Sequence, residues 1–545
     1  MFFILLAGKY SSAQYTHQDT LRGTIGPERA WWDVLRYDIS VTPDYNKKSI
    51  TGRTTIQYKV LPNQKSDYLQ IDLQKPLNID TLFYDDKLYI NYPGKPYYNE
   101  GNVWHIPLPK AQVNSIHSIS IAYHGNPRIA VRAPWDGGWI FTRDEKGRPW
   151  MTVACQGLGA SVWYPCKDHQ SDEPDNGATL SVTVVDSLVA VGNGRLKNKT
   201  STNGMTTWIW EVKNPINSYN LVPYIGKYVN FTDTLAGEKG TLDCSYWVLD
   251  YNLDKAKKQF GRDVKPMLHC FEYWMGPYPF YEDSYKLVES SHLGMEHQSA
   301  TAYGNHYMNG YYSGGQGFDL SGSGWGMKWD YIIIHESGHE WFANNITTND
   351  IADMWVHEGF TDYSEPLFVE CQYGKKAADE YCQGLRRNIQ NDRPVIGPYG
   401  VNKEGSGDMY AKGANMLHTI RQVINDDEKF RQILRGLNRD FYHKTVDSRD
   451  VEKYMSEKSG IDLSKIFDQY LRTTKVPVLE YKMNDRKLRY RWTNCVDGFN
   501  MPVQIGTGHE LWLKPTTSWQ EMELPLNYSM DEINKNFYIT VKKAG

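Results

Sequence analysis

Residues 332–341 read Ile-Ile-Ile-His-Glu-Ser-Gly-His-Glu-Trp, and the spacing of the two histidines guides the interpretation of the whole chain. His335 and His339 are four positions apart, so on an α-helix their side chains lie on one face, a turn apart. Two imidazoles so placed can bind one metal ion, and Glu336 can act as general base on a metal-bound water. The alternative is that the two histidines are hydrogen-bonded core residues, since the pattern fixes only three positions and can occur by chance. A metal site also needs a third ligand.

The third ligand is predicted at Glu358, within the stretch "MWVHEGFTDYSE" at residues 354–365. Eighteen residues separate it from His339, which is enough for a loop and the start of a second helix. Two neutral imidazoles and one carboxylate leave the fourth position of a tetrahedral zinc ion open, as a catalytic site requires. The sequence therefore predicts one Zn²⁺ per chain, held by His335, His339 and Glu358. Taken alone, Glu358 would be an ordinary solvated helix charge.

Length and charge restrict the class of protein. The chain has 545 residues, too many for one hydrophobic core, so several domains are expected. The formal net charge is −4 and no long basic run occurs, so nucleic acid and anionic membrane surfaces are poor candidates for partners. After the N-terminus, no segment has the roughly 20 uninterrupted apolar residues of a transmembrane helix.

The N-terminus resembles the end of a signal peptide. Residues 2–7 are a short apolar run, and small residues at 11–13 precede a cleavage position. We therefore expect residues 1–13 to be a truncated signal peptide and the protein to be exported, either to a periplasm or outside the cell. An ordinary disordered terminus on a cytoplasmic protein is the alternative.

Seven cysteines are spread along the chain without a CxxC motif, and their odd number excludes complete intramolecular pairing. In an exported protein, a local disulfide could join Cys155 to Cys166 or Cys371 to Cys382. The sequence does not decide between these states.

The hydrophobic period divides the chain into three parts. Residues from about 30 to 225 alternate with period two between turn residues, which predicts a large antiparallel sheet. From about 235 the spacing becomes helical, over 254–276, 328–345 and 413–437 and on to about 474. Short strands return in the last seventy or so residues, about the size of one small β-sandwich.

The motifs and their order resemble the gluzincin aminopeptidases of the aminopeptidase N and leukotriene hydrolase type, from "RYDISVTPD" to "KIFDQYLRTTKVPVLEY". The resemblance implies a multidomain α+β protein. It predicts an N-terminal β saddle domain at 26–230, a thermolysin-like, mostly helical catalytic domain at 231–474 and a small C-terminal β-sandwich at 475–545. Many members carry a further helical domain at the C-terminus, which we expect to be absent.

The family's G-x-M-E-N loop corresponds to "LGMEH" at residues 293–297. The resemblance assigns Glu296 to the carboxylate that binds the free α-amine of the substrate, with Gly294 and Met295 beside the substrate backbone. An exopeptidase needs such a negative charge at a fixed distance from the metal, and glycine lets the backbone approach closely. Leu293 replaces the family's glycine and His297 its asparagine, which affects the contacts to the substrate backbone.

Two further motifs match the family. Its catalytic tyrosine precedes Lys-Gly, and "DMYAKGANML" at 408–417 places Tyr410 there as donor to the developing oxyanion. The stretch "VACQGLGASVWYPCKD" at 153–168 assigns a second contact to the substrate amine to Gln156. Without these motifs, a tyrosine would be expected to pack and a glutamine to lie at the surface.

Asp362 and Glu365, one and two turns beyond Glu358, are expected to accept a hydrogen bond from the second ring N–H of a zinc-binding histidine. Glu365 matches the family's glutamate better. Pro366 is expected to kink this helix or displace its hydrogen bonding. His357 is interpreted as structural, pointing away from the metal.

The leading hypothesis is therefore a zinc aminopeptidase that acts on peptides with a free N-terminus. A thermolysin-type endopeptidase is a second hypothesis, against which Glu296 argues, because it would block extension of the substrate. Epoxide hydrolysis is a third. A zinc-free scaffold that binds peptides would be expected to lose ligands, whereas this chain keeps all of them.

Overall fold

The structure is a computed structural model that describes residues 15–62, 64–89, 94–506 and 511–545. The predicted signal peptide at 1–13 lies outside the described residues. Three successive regions follow one another: an N-terminal β-rich region, a central region that carries most of the helices, and a C-terminal region of short strands. Among the described residues, no helix has both the length and the apolar character needed to cross a membrane.

The N-terminal region is built around an eight-stranded sheet of order β13-β14-β11-β1-β2-β8-β4-β5. Its long strands alternate buried and exposed side chains, as the period-two pattern predicts. The sheet is mixed and not wholly antiparallel, because β1 and β11 pair in parallel. A four-stranded sheet (β12-β15-β10-β9) and a three-stranded sheet (β3-β7-β6) complete the region. The elements of this region are α1 His17–Gly23, β1 Trp32–Asp44, β2 Ser49–Val60, β3 Tyr68–Asp72, β4 Asn78–Tyr84, β5 Lys87–Leu88, β6 Tyr98–Glu100, β7 Val103–Pro107, β8 Ile116–Gly125, β9 Gly138–Arg143, β10 Pro149–Ala154, β11 Ala178–Val185, β12 Val189–Val191, β13 Arg195–Thr202, β14 Met205–Val212 and β15 Tyr224–Gly226.

The central region combines a five-stranded sheet, of order β16-β17-β18-β20-β19, with eight α-helices within the described residues. The two-residue strand β19 is the edge of this sheet and pairs only with β20. The elements are β16 Tyr228–Gly237, β17 Gly240–Leu249, α2 Leu253–Met275, β18 Tyr285–Glu289, β19 Gly294–Met295, β20 Thr301–Tyr303, β21 Tyr311–Ser313, β22 Gln316–Phe318, α3 Tyr331–Gly338, β23 Ile346–Thr348, α4 Trp355–Tyr373, α5 Lys375–Leu385, α6 Ala411–Ile424, α7 Asp427–Asp440, β24 Lys444–Val446, α8 Ser448–Ser459 and α9 Ser464–Arg472.

Three boundaries differ from the sequence-based expectation. The helical spacing expected from about 235 begins only at Leu253, because β16 and β17 first form a hairpin in the central sheet. The helix expected over 328–345 is only α3, which ends at Gly338. The helix expected over 413–437 is two helices, since Asn425 adopts a left-handed conformation (φ 50°) that closes α6.

The C-terminal region contains a four-stranded sheet, β29-β26-β25-β30, and a two-stranded pair, β27-β28. Its apolar side chains continue the core of the central region, since buried Trp492 and Phe537 belong to the same cluster as Ile334 of α3. The strands are β25 Val478–Asn484, β26 Lys487–Thr493, β27 Val503–Ile505, β28 Leu511–Leu513, β29 Gln520–Glu523 and β30 Thr540–Lys543.

The cysteine pairing differs from both local pairings considered from the sequence. Cys270 on α2 is bonded to Cys371 on α4, across 101 residues. Cys155, Cys166 and Cys382 are free and buried, so neither the 155–166 nor the 371–382 disulfide is present. The bond that does form ties α4, the helix of Glu358, to α2.

Candidate metal centre and cleft

Two helices bring the three predicted metal ligands together. His335 lies on α3, His339 directly follows its last residue, and Glu358 lies in the first turn of α4. Oε2 of Glu358 is 3.3 Å from Nε2 of His339 and 3.8 Å from Nε2 of His335. All three side chains are almost completely buried. Their three donor atoms therefore converge on one point.

Local sequence explains where α3 begins and how closely it approaches α4. Asp330 caps its N-terminus by accepting from the backbone N–H of Ile333. Gly338 lies against α4, where an added Cβ would be 2.5 Å from the hydroxyl oxygen of Ser364 and 3.2 Å from Cγ2 of Thr361. A side chain at position 338 would have to displace the Ser364 hydroxyl, so glycine permits the close approach of α3 to α4.

Neighbouring groups hold each imidazole so that Nε2 faces the convergence point. Nδ1 of His335 donates to Oε1 of Glu365 at 2.7 Å, and the hydroxyl of Tyr381 donates to the other oxygen of that carboxylate at 2.6 Å. Nδ1 of His339 is 3.1 Å from the carbonyl of Phe342 and 3.0 Å from the hydroxyl of Thr361. These contacts fix the ring orientations and the tautomer that a metal ligand needs.

The donor set fits a metal ion. Oε2 of Glu358 is buried without a hydrogen-bond partner among the described residues, which is costly unless a cation occupies the space before it. Burial acts to raise the pKa of Glu358, but His339 and His335 outweigh burial and hold that pKa below its ordinary value. The ligand position is therefore a carboxylate, which with two imidazoles is a donor set typical of zinc.

Glu336 faces the same space from α3. Burial raises the pKa of Glu336 to about 7, against the lowering effect of His335 and His339. Gly294 on β19 makes room for this carboxylate, because an added Cβ would collide with its Oε1. Gly294 therefore leaves space for the Glu336 side chain. The sequence predicted a different role for this glycine, a close approach of its backbone to the substrate.

Glu296 lies beside the metal ligands. One oxygen of Glu296, one of Glu336 and a ring nitrogen of His339 all lie within 4.8 Å of one another. Oε1 of Glu296 accepts from the hydroxyl of Tyr219 at 2.9 Å and from the side-chain amide of Gln156. Burial raises the pKa of Glu296, so a cation that entered this space would be strongly favoured as its partner.

Tyr410 also lines the cleft beside the metal ligands. It precedes α6, and its ring lies over the imidazole of His335 with centroids 6.0 Å apart. Burial raises the pKa of Tyr410, so the phenol keeps its proton at neutral pH and can donate it in a hydrogen bond.

A cleft of about 590 Å³ contains these residues. It is bounded by segments of both the N-terminal and central regions, and Met295 contributes to its wall. Residues that line it include Trp135, Gln156, Leu158, Tyr219, Leu293, Glu296, Glu336, Glu404 and Tyr410.

The other predicted residues lie close by in different roles. Asp362 is buried within the cluster of His335 and Glu365, but it makes no hydrogen bond to a histidine in the described structure. Burial and the Glu365 carboxylate raise the pKa of Asp362. His357 accepts from the backbone N–H of Thr348 at 2.9 Å and is not a ligand. The α4 helix continues through Pro366.

Sequence reasoning missed several supporting residues. Three of them contact one functional side chain each: Tyr219 contacts Glu296, Thr361 contacts His339 and Tyr381 contacts Glu365. The hydroxyl of a fourth, Tyr331, lies 3.2 Å from Nδ1 of His335. Thr361 and Tyr331 carried a usable signal, since Thr361 follows Glu358 by three positions and Tyr331 precedes His335 by four, each pair on one helix face. His297, where the family has asparagine, contacts the hydroxyl of Tyr224 at 2.5 Å.

Two segments of the chain, which together make up more than half of it, match one peptidase family. Residues 34–220 match the description "Peptidase M1 N-terminal domain", and residues 280–470 match "Peptidase family M1 domain". Aminopeptidase N of Lactococcus lactis subsp. lactis is 21% identical over 83% of this chain and 52% of its own length. Aminopeptidase M1 of Arabidopsis thaliana is 23% identical over 65% of this chain and 40% of its own length. The chain thus spans about half, or less, of these relatives.

A solved structure supports the same fold. The M1 zinc metallopeptidase from Deinococcus radiodurans superposes with a TM-score of 0.68 at 19% identity, over 82% of this chain and 95% of that chain. The fold and the converging site define a gluzincin-type protein with a β-rich N-terminal domain and a helical catalytic domain. The chain belongs to the peptidase M1 family.

Proposed function

We propose that the chain is a zinc-dependent aminopeptidase that releases N-terminal amino acids from peptides. The observation that carries the proposal is the position of Glu296, a buried carboxylate within 4.8 Å of Glu336 and His339. A carboxylate at that distance from the metal ligands can pair with the ammonium group of a substrate while the first peptide bond faces the metal. The family membership supports the same activity.

His335, His339 and Glu358 would hold one zinc ion. When bound, zinc would supply Lewis acidity, polarising the scissile carbonyl and lowering the pKa of a water molecule. Glu336 takes the proton from the attacking water and returns it to the leaving amine, a role that suits a carboxyl with a pKa of about 7. Tyr410 donates a hydrogen bond to the developing oxyanion.

The substrate is bound at its N-terminal end. Glu296 and Gln156 hold the α-ammonium group, and Tyr219 fixes the orientation of Glu296. Strand β19 is the edge of the central sheet, so the side of this strand that faces away from β20 can pair with an extended peptide. Because the chain of the substrate begins at Glu296, the site favours exopeptidase over endopeptidase action.

The domain boundaries and the cellular location of the protein are also proposed. We propose domains at 26–230, 231–474 and 475–545, with the last a small β-sandwich. We also propose that the protein is exported, which the apolar residues 2–7 and the Cys270–Cys371 bond support. Mass spectrometry of the mature N-terminus tests the export proposal, and an intact N-terminus would contradict it.

A chelation experiment tests the activity. Purified protein should hydrolyse aminoacyl-fluorophore substrates, lose that activity with a chelator and regain it with about one equivalent of zinc per chain. Binding of peptides without turnover in the zinc-loaded protein would favour the alternative of a peptide-binding scaffold. A solved structure of a variant of the Deinococcus protein holds a Tyr-Ser-Ala substrate, so the same tripeptide is a suitable first peptide.

A further inference from the structure

One exposed tryptophan lies at the wall of the cleft. Trp135 belongs to a loop of the N-terminal region that lines the cleft, and 70% of its surface is exposed. Ligand-binding clefts are lined mainly by apolar and aromatic side chains, so an exposed indole at the wall of this cleft is available to contact a bound ligand. Nothing in the proposed chemistry uses this residue.

The loop that carries Trp135 is held rigidly. Its two ends are joined by backbone hydrogen bonds from Trp139 N–H to the Arg128 carbonyl and from Ala130 N–H to the Trp139 carbonyl. Within the loop, the carboxylate of Asp136 accepts from the backbone N–H groups of Val131 at 2.6 Å and Arg132 at 2.9 Å. These hydrogen bonds hold the backbone of the loop, so the Cα of Trp135 has a fixed position at the wall of the cleft.

The same loop packs over the end of the cleft that receives the substrate amine. A Cβ added at Gly137 would be 2.7 Å from Cβ of Leu158, so the loop backbone rests on Leu158. Leu158 is two residues beyond Gln156, whose amide contacts Glu296. The substrate chain begins at the ammonium group that Glu296 binds. The side chain of the first residue is therefore the only part of the substrate that can extend toward Leu158 and the loop of Trp135.

From these positions we propose that Trp135 is a specificity-determining residue for the proposed reaction. Its indole forms, with Leu158, an apolar platform for the side chain of the substrate's first residue. The site therefore selects peptides that begin with an aromatic or large apolar residue. This inference rests on the proposed aminopeptidase function and names its substrate class.

The test compares substrates that differ only in the first residue. Phenylalanyl, tryptophanyl and alanyl derivatives of one fluorophore are hydrolysed by zinc-loaded wild type and by Trp135→Ala, Trp135→Phe and Val131→Ala. Val131 is the matched control, because it lies on the same loop with 85% of its surface exposed and does not line the cleft. Thermal midpoints confirm that each variant is folded.

Trp135→Ala should lower kcat/KM for the aromatic substrates about tenfold and change the alanyl substrate much less. Trp135→Phe should retain most of the aromatic preference, and Val131→Ala should change neither substrate class. An equal loss for all substrates, no loss at all, or an effect that follows the second residue of dipeptides would overturn the inference. Failure of zinc-loaded wild type to cleave any substrate would instead contradict the proposed function.

Discussion

Glu365 offers a quantitative test of how the protein fixes its metal ligands. The carboxylate is completely buried, accepts from Nδ1 of His335 at 2.7 Å and from the Tyr381 hydroxyl at 2.6 Å. In Glu365→Gln the amide oxygen can still accept from Nδ1, and the amide N–H can donate to the Tyr381 hydroxyl, so the change removes the negative charge and reverses the second hydrogen bond. A hydrogen bond to a charged group contributes about 1.5–3 kcal/mol and a neutral one about 0.5–1.5 kcal/mol.

The midpoints of these ranges differ by about 1.25 kcal/mol, which corresponds to a roughly eightfold weaker zinc affinity. Glu365→Ala loses both hydrogen bonds. Its zinc affinity should fall roughly 100-fold, the upper end of the loss caused by removing a hydrogen-bond partner of a metal ligand. Tyr381→Phe is the matched control, since it leaves the charge in place and should cost less than either. Competition with a fluorescent zinc chelator measures all four proteins. Wild-type zinc affinity in Glu365→Ala would refute the assignment of Glu365 as the group that orients His335.

Three substitutions test the proposed roles of other cleft residues. Glu336→Gln should keep its zinc, measured by elemental analysis, yet lose roughly 10²–10⁴ in kcat, because the water loses its base; near-normal turnover would require another base. Tyr410→Phe should lower kcat by about 10²–10³ with little change in KM, and an effect on KM alone would contradict the oxyanion role. Glu296→Gln should lower kcat/KM for free-amine substrates by roughly 100-fold at normal zinc content, since the buried ammonium loses its charged partner; unchanged kcat/KM would exclude Glu296 as the anchor.

The parts of the site that follow from local spacing were accessible to sequence reasoning. His335 and His339 are a helical turn apart, and Glu358 and Glu365 are two turns apart on α4, so helix geometry alone places them. The resemblance to the family then located Glu296, Gln156 and Tyr410 in separate segments. Neither argument required knowledge of the packing between regions.

The parts that depend on packing between distant segments were not accessible. Tyr219 and Glu296 come from different regions, 77 residues apart, and only the assembled cleft brings them together. The Cys270–Cys371 bond spans 101 residues, whereas sequence reasoning considered only cysteines close in the chain. The sequence pattern overestimates the length of α3 because the apolar spacing continues past Gly338, where the helix ends.

The central claim is that a free α-amine is a condition of productive binding, and a pair of peptides tests it most directly. The two peptides share one sequence and differ only in N-acetylation, and mass spectrometry follows their products with zinc-loaded wild type. Removing the ammonium group leaves buried Glu296 without its partner, at a cost of about 3–5 kcal/mol, or more than 100-fold in rate. The account predicts stepwise loss of N-terminal residues from the free peptide and no cleavage of the acetylated one. Comparable rates of cleavage on the two peptides would contradict it.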